Sequence, residues 1–283
     1  MKTLYESLLD DFEKLKDSIN PIDEIKRFLK DNYLHSYRFK ISEKPNKDGY
    51  YEVSCDKFFI YAKKDIVSLT NDLFVFVHAF GFDCSSCPNL KSLKGAPKEV
   101  EKTFECQNCC NLTSLEGAPE KVGGDFNCSC CKNLTTLEGA PKETKFGFRC
   151  VGCINLKSLK GAPEKVGEHF ECFNCESLTS LEGAPEKVGY NFHCGGCRNL
   201  TTLKGAPKKI KGVFDCSSCV NLTSLEGAPK EVGVEFNCSV CTNLKTLKGA
   251  PKKAGSFYCG FGDTKFKIQD VRDVCDVKGS IHA

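Results

Sequence analysis

The sequence predicts a repeat solenoid with a parallel β-sheet on one face and an N-terminal cap of α-helix and β-hairpin. Three observations carry that prediction. Phe82, Phe104, Phe126, Phe148, Phe170, Phe192, Phe214 and Phe236 fall 22 residues apart without an insertion, and Phe257 follows at 21. Each of the first eight opens nearly the same string, Phe-x-Cys-x-x-Cys-x-Asn-Leu-x-x-Leu-x-Gly-Ala-Pro. The Gly-Ala-Pro step supplies turn chemistry at a fixed offset, so every copy bends at the same point. A strict period of this size marks coils that stack on one another and share a continuous core.

The elements follow in order. Over residues 3–18, Leu4, Leu8, Leu9, Phe12 and Leu15 recur at helical spacing between charges, which predicts an amphipathic helix ending before Asn20-Pro21. A second short helix over residues 22–32 offers Ile22, Ile25, Phe28 and Leu29 on one face. Residues 37–41 and 50–55 alternate around the turn-forming stretch 45–49 and read as a hairpin. Together residues 1–57 form a cap, whose task is to cover the open strand edge at the start of the solenoid.

The solenoid is expected over residues 58–266. Phe58-Phe59-Ile60 precedes Phe82-Asp83-Cys84 by 24 residues, so residues 58–81 read as a degenerate first coil without the cysteines. Eight regular coils occupy residues 82–256, and a partial last coil spans 257–266. Residues 267–283 are expected as a cap or tail, with a short helix or strand closing the end.

Side-chain direction assigns roles within the repeat. In Phe-x-Cys the two side chains are two apart and share a face of an extended strand, so both point inward and the residue between them points out. The second cysteine and the two leucines carry the apolar column round the bend. Asn89, Asn111, Asn133, Asn155, Asn199, Asn221 and Asn243, with Ser177 in the remaining coil, are expected to satisfy backbone groups at the turn. Gly-Ala-Pro is expected as a tight return poor in hydrogen bonds. Lys94, Glu116, Glu138, Lys160, Glu182, Lys204, Glu226 and Lys248 form a charged column on the surface.

Composition narrows the function. Forty basic and 37 acidic residues leave a net charge of +3, which gives no ground for electrostatic capture of nucleic acid or membrane. The opening residues mix charges and lack the apolar run of a secretory signal, and no later stretch matches a membrane span, so a cytoplasmic protein is expected. Four Asn-Leu-Thr sequons, beginning at Asn111, Asn133, Asn199 and Asn221, are read as structural.

The 21 cysteines follow the repeat. Cys-x-x-Cys pairs are the usual signal of a zinc site, and a cysteine-rich chain also invites a disulfide framework. Against both stands the inward position of the two columns, where a free thiol serves as a small polarizable hydrophobe. Reduced core ladders are the leading reading, with no cofactor or metal; a metal-binding or redox-responsive protein is the alternative. Cys110 and Cys130 fall outside the columns and are the expected reactive thiols.

The stretch Phe-x-Cys-x-x-Cys-x-Asn-Leu-Thr-Ser-Leu at residues 104–115 resembles the Leu-x-Leu-x-x-Cys-x-x-Leu form of the leucine-rich-repeat family. Leu-Thr-Ser-Leu-x-Gly-Ala-Pro is also similar to a segment of bacterial effectors that join such repeats to a ubiquitin ligase. Nothing after Phe266 matches that ligase domain in length, so its activity is not implied. The near-identical coils also resemble repeat proteins of gut bacteria and their phages. The resemblance implies a strand face that is concave and binds a protein partner.

Comparison of the coils with one another places that face. The Leu, Gly, Ala and Pro columns hardly change, while the positions flanking each inward Phe and Cys vary. The candidate partner-binding residues are Glu105, Asp125, Asn127, Arg149, Val151, His169, Glu171, Phe173, Asn191 and His193. Phe173 and Val151, framed by Arg149, Glu171 and His193, are the expected hot spot. His169, Glu171 and His193 also bring metal-ligand chemistry together on one strand and its neighbour. No phosphate loop, nucleophile elbow or catalytic triad pattern is present, so the expectation is a non-enzymatic module that binds a protein.

Overall fold

A computed structural model of the chain describes residues 20–32, 39–59, 64, 66, 67, 69, 73–260 and 266–283. The architecture is a parallel β-solenoid of about ten coils with little helix. The helix expected over residues 3–18 lies outside the described residues.

Helix α1, Pro21–Asn32, starts where proline is best tolerated, at the first helical position. The Asn20 side chain accepts the Ile22 amide at 3.0 Å, and Asp23 and Glu24 place negative charge in the first turn. Ile25 and Leu29 are buried. Strand β1, Phe39–Ile41, pairs antiparallel with β2, Tyr51–Phe59, with Phe39 opposite Cys55. Asn46 holds the turn by accepting the Asp48 and Tyr50 amides at 3.0 and 3.2 Å. Strand β2 then pairs in parallel with β3, Phe74–Asp83, setting Phe58 opposite Phe82. One strand thus serves as the second arm of the hairpin and as the first layer of the solenoid.

From β3 onward each coil contributes to two parallel ladders. One carries the phenylalanines, with Phe82 opposite Phe104, Phe104 opposite Phe126, and so on to Phe236 opposite Phe257. The other carries the residues after Gly-Ala-Pro, such as Val100 opposite Val122 and Val166 opposite Val188. Sequence spacing predicts only a tight return at Gly-Ala-Pro and no strand after it. The second column forms a ladder because parallel neighbours in identical coils put their backbone groups at the same height, whether or not the side chains announce a strand.

The core is a stack of aromatic rings. Phe82 to Phe236 are at most 1% exposed, and adjacent rings stand 5.1–5.7 Å apart at interplanar angles of 3–26°. Burial of each ring contributes about 1.5–3 kcal/mol, and an offset stack adds about 0.5–1.5 kcal/mol.

The cysteines line the same core, and all 21 are free thiols. The second column does more than fill space. The Sγ of Cys109 donates to the carbonyl of Cys84 in the preceding coil at 3.1 Å, and Cys131, Cys153, Cys175, Cys197, Cys219 and Cys241 repeat that bond at 3.2–3.4 Å. The accepting carbonyl lies where the strand ladder gives way to the Cys-x-x-Cys turn, so the thiol satisfies a buried acceptor that the ladder leaves behind. Burial, then contact with the neighbouring thiol, pushes the Cys84, Cys106 and Cys128 thiols well above their usual range, and burial pushes Cys241 up to about 12.

The outer bends correct two expectations. Gly-Ala-Pro is not poor in hydrogen bonds: in each regular coil the alanine amide donates to the second leucine, as from Ala118 to Leu115 at 2.9 Å. Gly117 sits at φ +89°, and a Cβ there would lie 2.3 Å from the Lys94 amide nitrogen of the coil before, so conformation and space both demand glycine. The asparagine column is exposed; Asn89 donates to the Lys64 carbonyl at 2.6 Å, and Asn221 to Asn199 at 3.4 Å. The charged column resolves into pairs, Lys94 with Glu116, Lys160 with Glu138, Lys204 with Glu182 and Lys248 with Glu226, at 2.6–3.0 Å. Such exposed pairs contribute about 0–1 kcal/mol.

The C-terminal segment contains both helix and strand. Helix α2, Ile268–Arg272, buries Val271. Asp276–Val277 then joins the second ladder opposite Lys253 and Ala254, and Ile281–His282 joins the Phe ladder opposite Phe257 and Tyr258.

Two outcomes follow for the core. Phe148→Ala should lower unfolding free energy by about 3–5 kcal/mol, read from urea denaturation, with Phe148→Leu losing far less; a loss below about 1 kcal/mol would refute a rigid central stack. In native protein at neutral pH, Cys110 and Cys130, the two thiols that are only half-buried, should react with a disulfide reagent such as dithionitrobenzoate before any other, Cys130 the more slowly because burial pushes its thiol above the usual range. The other 19 should react only as the protein unfolds; rapid reaction of most thiols would refute the thiol ladder.

Candidate functional site

The outward side of the Phe ladder is built on a local rule. Asp83, Asn127, Asp215 and Asn237 each follow a core phenylalanine, and each accepts the amide of the residue two positions on, Ser85, Ser129, Ser217 or Ser239, at 2.8–3.0 Å. This Asx turn bends the strand end into the Cys-x-x-Cys turn. In these four coils the pair is always Asp or Asn followed by Ser. The other four replace both members together: Glu105 with Gln107, Arg149 with Val151, Glu171 with Phe173, and His193 with Gly195. Three of those four are consecutive, so the departure forms one patch in the middle of the solenoid.

Arg149 is the centre of the patch. Its Nη1 lies 3.1 Å from Asp125 Oδ1 in the coil before, and its Nε lies 3.5 Å from Glu171 Oε2 in the coil after. Asp125 Oδ1 also accepts the Gly147 amide at 2.9 Å; a Cβ at Gly147 would come within 2.6 Å of that oxygen, so glycine opens the approach. The guanidinium side chain is about one-third exposed and held between two carboxylates, which fixes its direction.

Beside it, the Phe173 ring stacks on His193 with centroids 5.0 Å apart, and His193 Nδ1 lies 3.8 Å from Asp215 Oδ2. Phe173 and Val151 are therefore half-buried and not the freely exposed pair that sequence spacing gave. The three residues with metal-ligand chemistry separate. His169 turns to Glu168, at 3.7 Å, and to the edge of Tyr190, whereas His193 faces Phe173 and Asp215. Among the described residues no three such groups are placed to hold one ion.

Other predicted residues have structural partners. Asn127 Nδ2 bridges Glu105 and Gln107 at 3.0 and 3.1 Å, besides the Asx turn made by its oxygen. Asn191 Oδ1 accepts the Val213 amide at 2.8 Å, as Asp125 does for Gly147. Two members of the patch escaped sequence reasoning. Asp215 sits one period after His193, and Tyr190, 47% exposed, lies across the ladder edge from His169. The 22-residue period alone would have placed Asp215; Tyr190 lies two residues before the core phenylalanine, at a position not read as part of the face.

Electrostatics differ along the face. Burial, then the charge of Asp83 one coil away, raises the Glu105 carboxyl above its usual range. Burial also raises Asp215, but contacts from His193 and Ser217 outweigh it and leave that carboxyl below its usual value.

A raised folded-state value means that ionising Glu105 disfavours the fold, so its penalty is absent below about pH 4.3 and grows as pH rises through the folded value. Glu105→Gln keeps an oxygen for Asn127. Thermal melts should show the variant matching the wild type near pH 4 and exceeding it at pH 7; a variant less stable at pH 7 would contradict this. Scans against protein-family models, curated proteins and solved structures find nothing that matches the chain.

Proposed function

We propose that the chain is a non-enzymatic binding module that recognises a protein partner through the central patch of the Phe ladder. The observation that carries this reading is the joint replacement of the Asx-Ser pair in three successive coils, where Arg149, Glu171, Phe173 and His193 stand in its place. A surface that served only to hold its own strand ends has no use for four chemically different side chains at those points. The patch combines a fixed guanidinium, an aromatic ring and rim carboxylates, the composition in which interface energy concentrates. The resemblance of the coils to leucine-rich repeats supports the same reading.

A reducing compartment, the cytoplasm of a bacterium or of a phage-infected cell, suits the reading, since every cysteine is a free thiol. No described helix is long and apolar enough to cross a membrane.

The test is affinity capture from the native host with wild type, an Arg149→Gln/Phe173→Ser variant, and a Glu182→Gln variant on the far bend. The captured protein should bind wild type and Glu182→Gln alike. It should lose at least about 30-fold in affinity for the double variant, the ~2 kcal/mol of a hot-spot residue. Equal recovery by all three, with circular dichroism showing each folded, would exclude the patch.

A further inference from the structure

The second ladder carries its own surface, and its two halves differ in charge. In the N-terminal half, segments 98–102, 120–124, 142–146 and 164–168 hold six lysines and six glutamates. Signs alternate from coil to coil at the first two positions after the proline, and Lys121 pairs with Glu99 at 2.6 Å and Lys165 with Glu143 at 3.5 Å. Alternation of this kind holds coils in register without net charge.

The alternation stops in the next coils. Segments 186–190, 208–212, 230–234 and 252–256 hold seven lysines and two glutamates. Lys208, Lys230 and Lys252 occupy one position in successive coils. The Lys230 amide donates to the Lys208 carbonyl and the Lys252 amide to the Lys230 carbonyl, both at 2.8 Å, so the three side chains leave the backbone one coil apart. All three are exposed, and among the described residues none makes an ion pair. Lys209 alone of the seven has one, with Glu231 at 2.5 Å. Stacked like charges repel, and the N-terminal half shows that the coil folds without them.

The first lysine of this column, Lys208, lines a groove of about 680 Å³ that continues over the preceding coils on Ala184, Pro185, Ala206 and Pro207, with Lys165, Lys187, Lys209 and Lys211 also in its lining. Glu186 is the one acidic residue in its lining.

We infer that this groove and lysine column form a docking site for an acidic, extended polypeptide segment. Ammonium groups on long, flexible stems along a straight track complement the carboxylates of an extended acidic chain, and the alanine and proline floor admits its backbone. The chemistry favours a polypeptide over nucleic acid. The lining holds no aromatic side chain to stack a base and no arginine to grip a phosphate with two parallel bonds. The site lies on the other ladder from the Arg149 patch and does not depend on it.

The test is fluorescence anisotropy of a fluorescein-labelled decaglutamate peptide. Wild type should bind it, with affinity falling as salt rises. A Lys208→Gln/Lys230→Gln/Lys252→Gln variant should lose at least tenfold, and the charge-reversing Glu triple variant more. Lys98→Gln/Lys142→Gln, in the balanced half, and Arg149→Gln/Phe173→Ser should bind as wild type does. No binding by wild type at millimolar protein, equal binding by the Gln triple variant, or tighter binding of single-stranded oligothymidine than of peptide at the same salt would each overturn the inference.

Discussion

Every coil of this protein has an apolar cross-section that only another coil can cover. A single turn of 22 residues offers one ring, two thiols and two leucines to the layer above and the same set to the layer below. Such a turn has no core of its own, and its stability is a sum of interfaces. The ring stack at just over 5 Å and the coil-to-coil hydrogen bonds describe the same constraint in side chain and backbone. Identical spacing follows from it, because a one-residue insertion would turn the inward column outward.

That constraint divides the surface. Positions that hold a bend are fixed: the glycine at positive φ, the buried proline, and the Asx-Ser pair that ends a strand. Positions released from such work are free to vary. The coils bearing Arg149, Glu171 and His193 release two positions at once and still stack in register, since the thiol-to-carbonyl bond and the ring stack continue beneath them. The variable residues are thus carried on a frame that does not need them.

Much of this was legible in the residues. The phenylalanine period, the inward cysteines and the outward Arg149, Glu171 and His193 follow from spacing and alternation alone, and the pairing of Phe58 with Phe82 is visible in their separation of one long period. What sequence did not show depends on distances between coils. The second ladder shows little strand signal in a segment such as Pro163-Glu164-Lys165-Val166, because its pairing comes from stacking and not from propensity. The bond from Cys109 to the Cys84 carbonyl joins residues 25 apart and has no motif. The half-burial of Phe173 follows from His193, one coil on, and Tyr190 enters the site only because His169 leans on it.

The thiol ladder also sets when this protein is chemically vulnerable. Oxidation of a cysteine to the sulfenic acid adds an oxygen atom, and the columns from Cys84 to Cys219 have no exposed surface on which to place one. In the folded chain an oxidant meets little more than Cys110 and Cys130. During synthesis, before a coil has a neighbour above it, the same sulfurs are open to disulfide exchange with any other. Accuracy of assembly then rests on how fast each new coil closes over the last, and the solenoid carries its greatest redox hazard in the nascent chain.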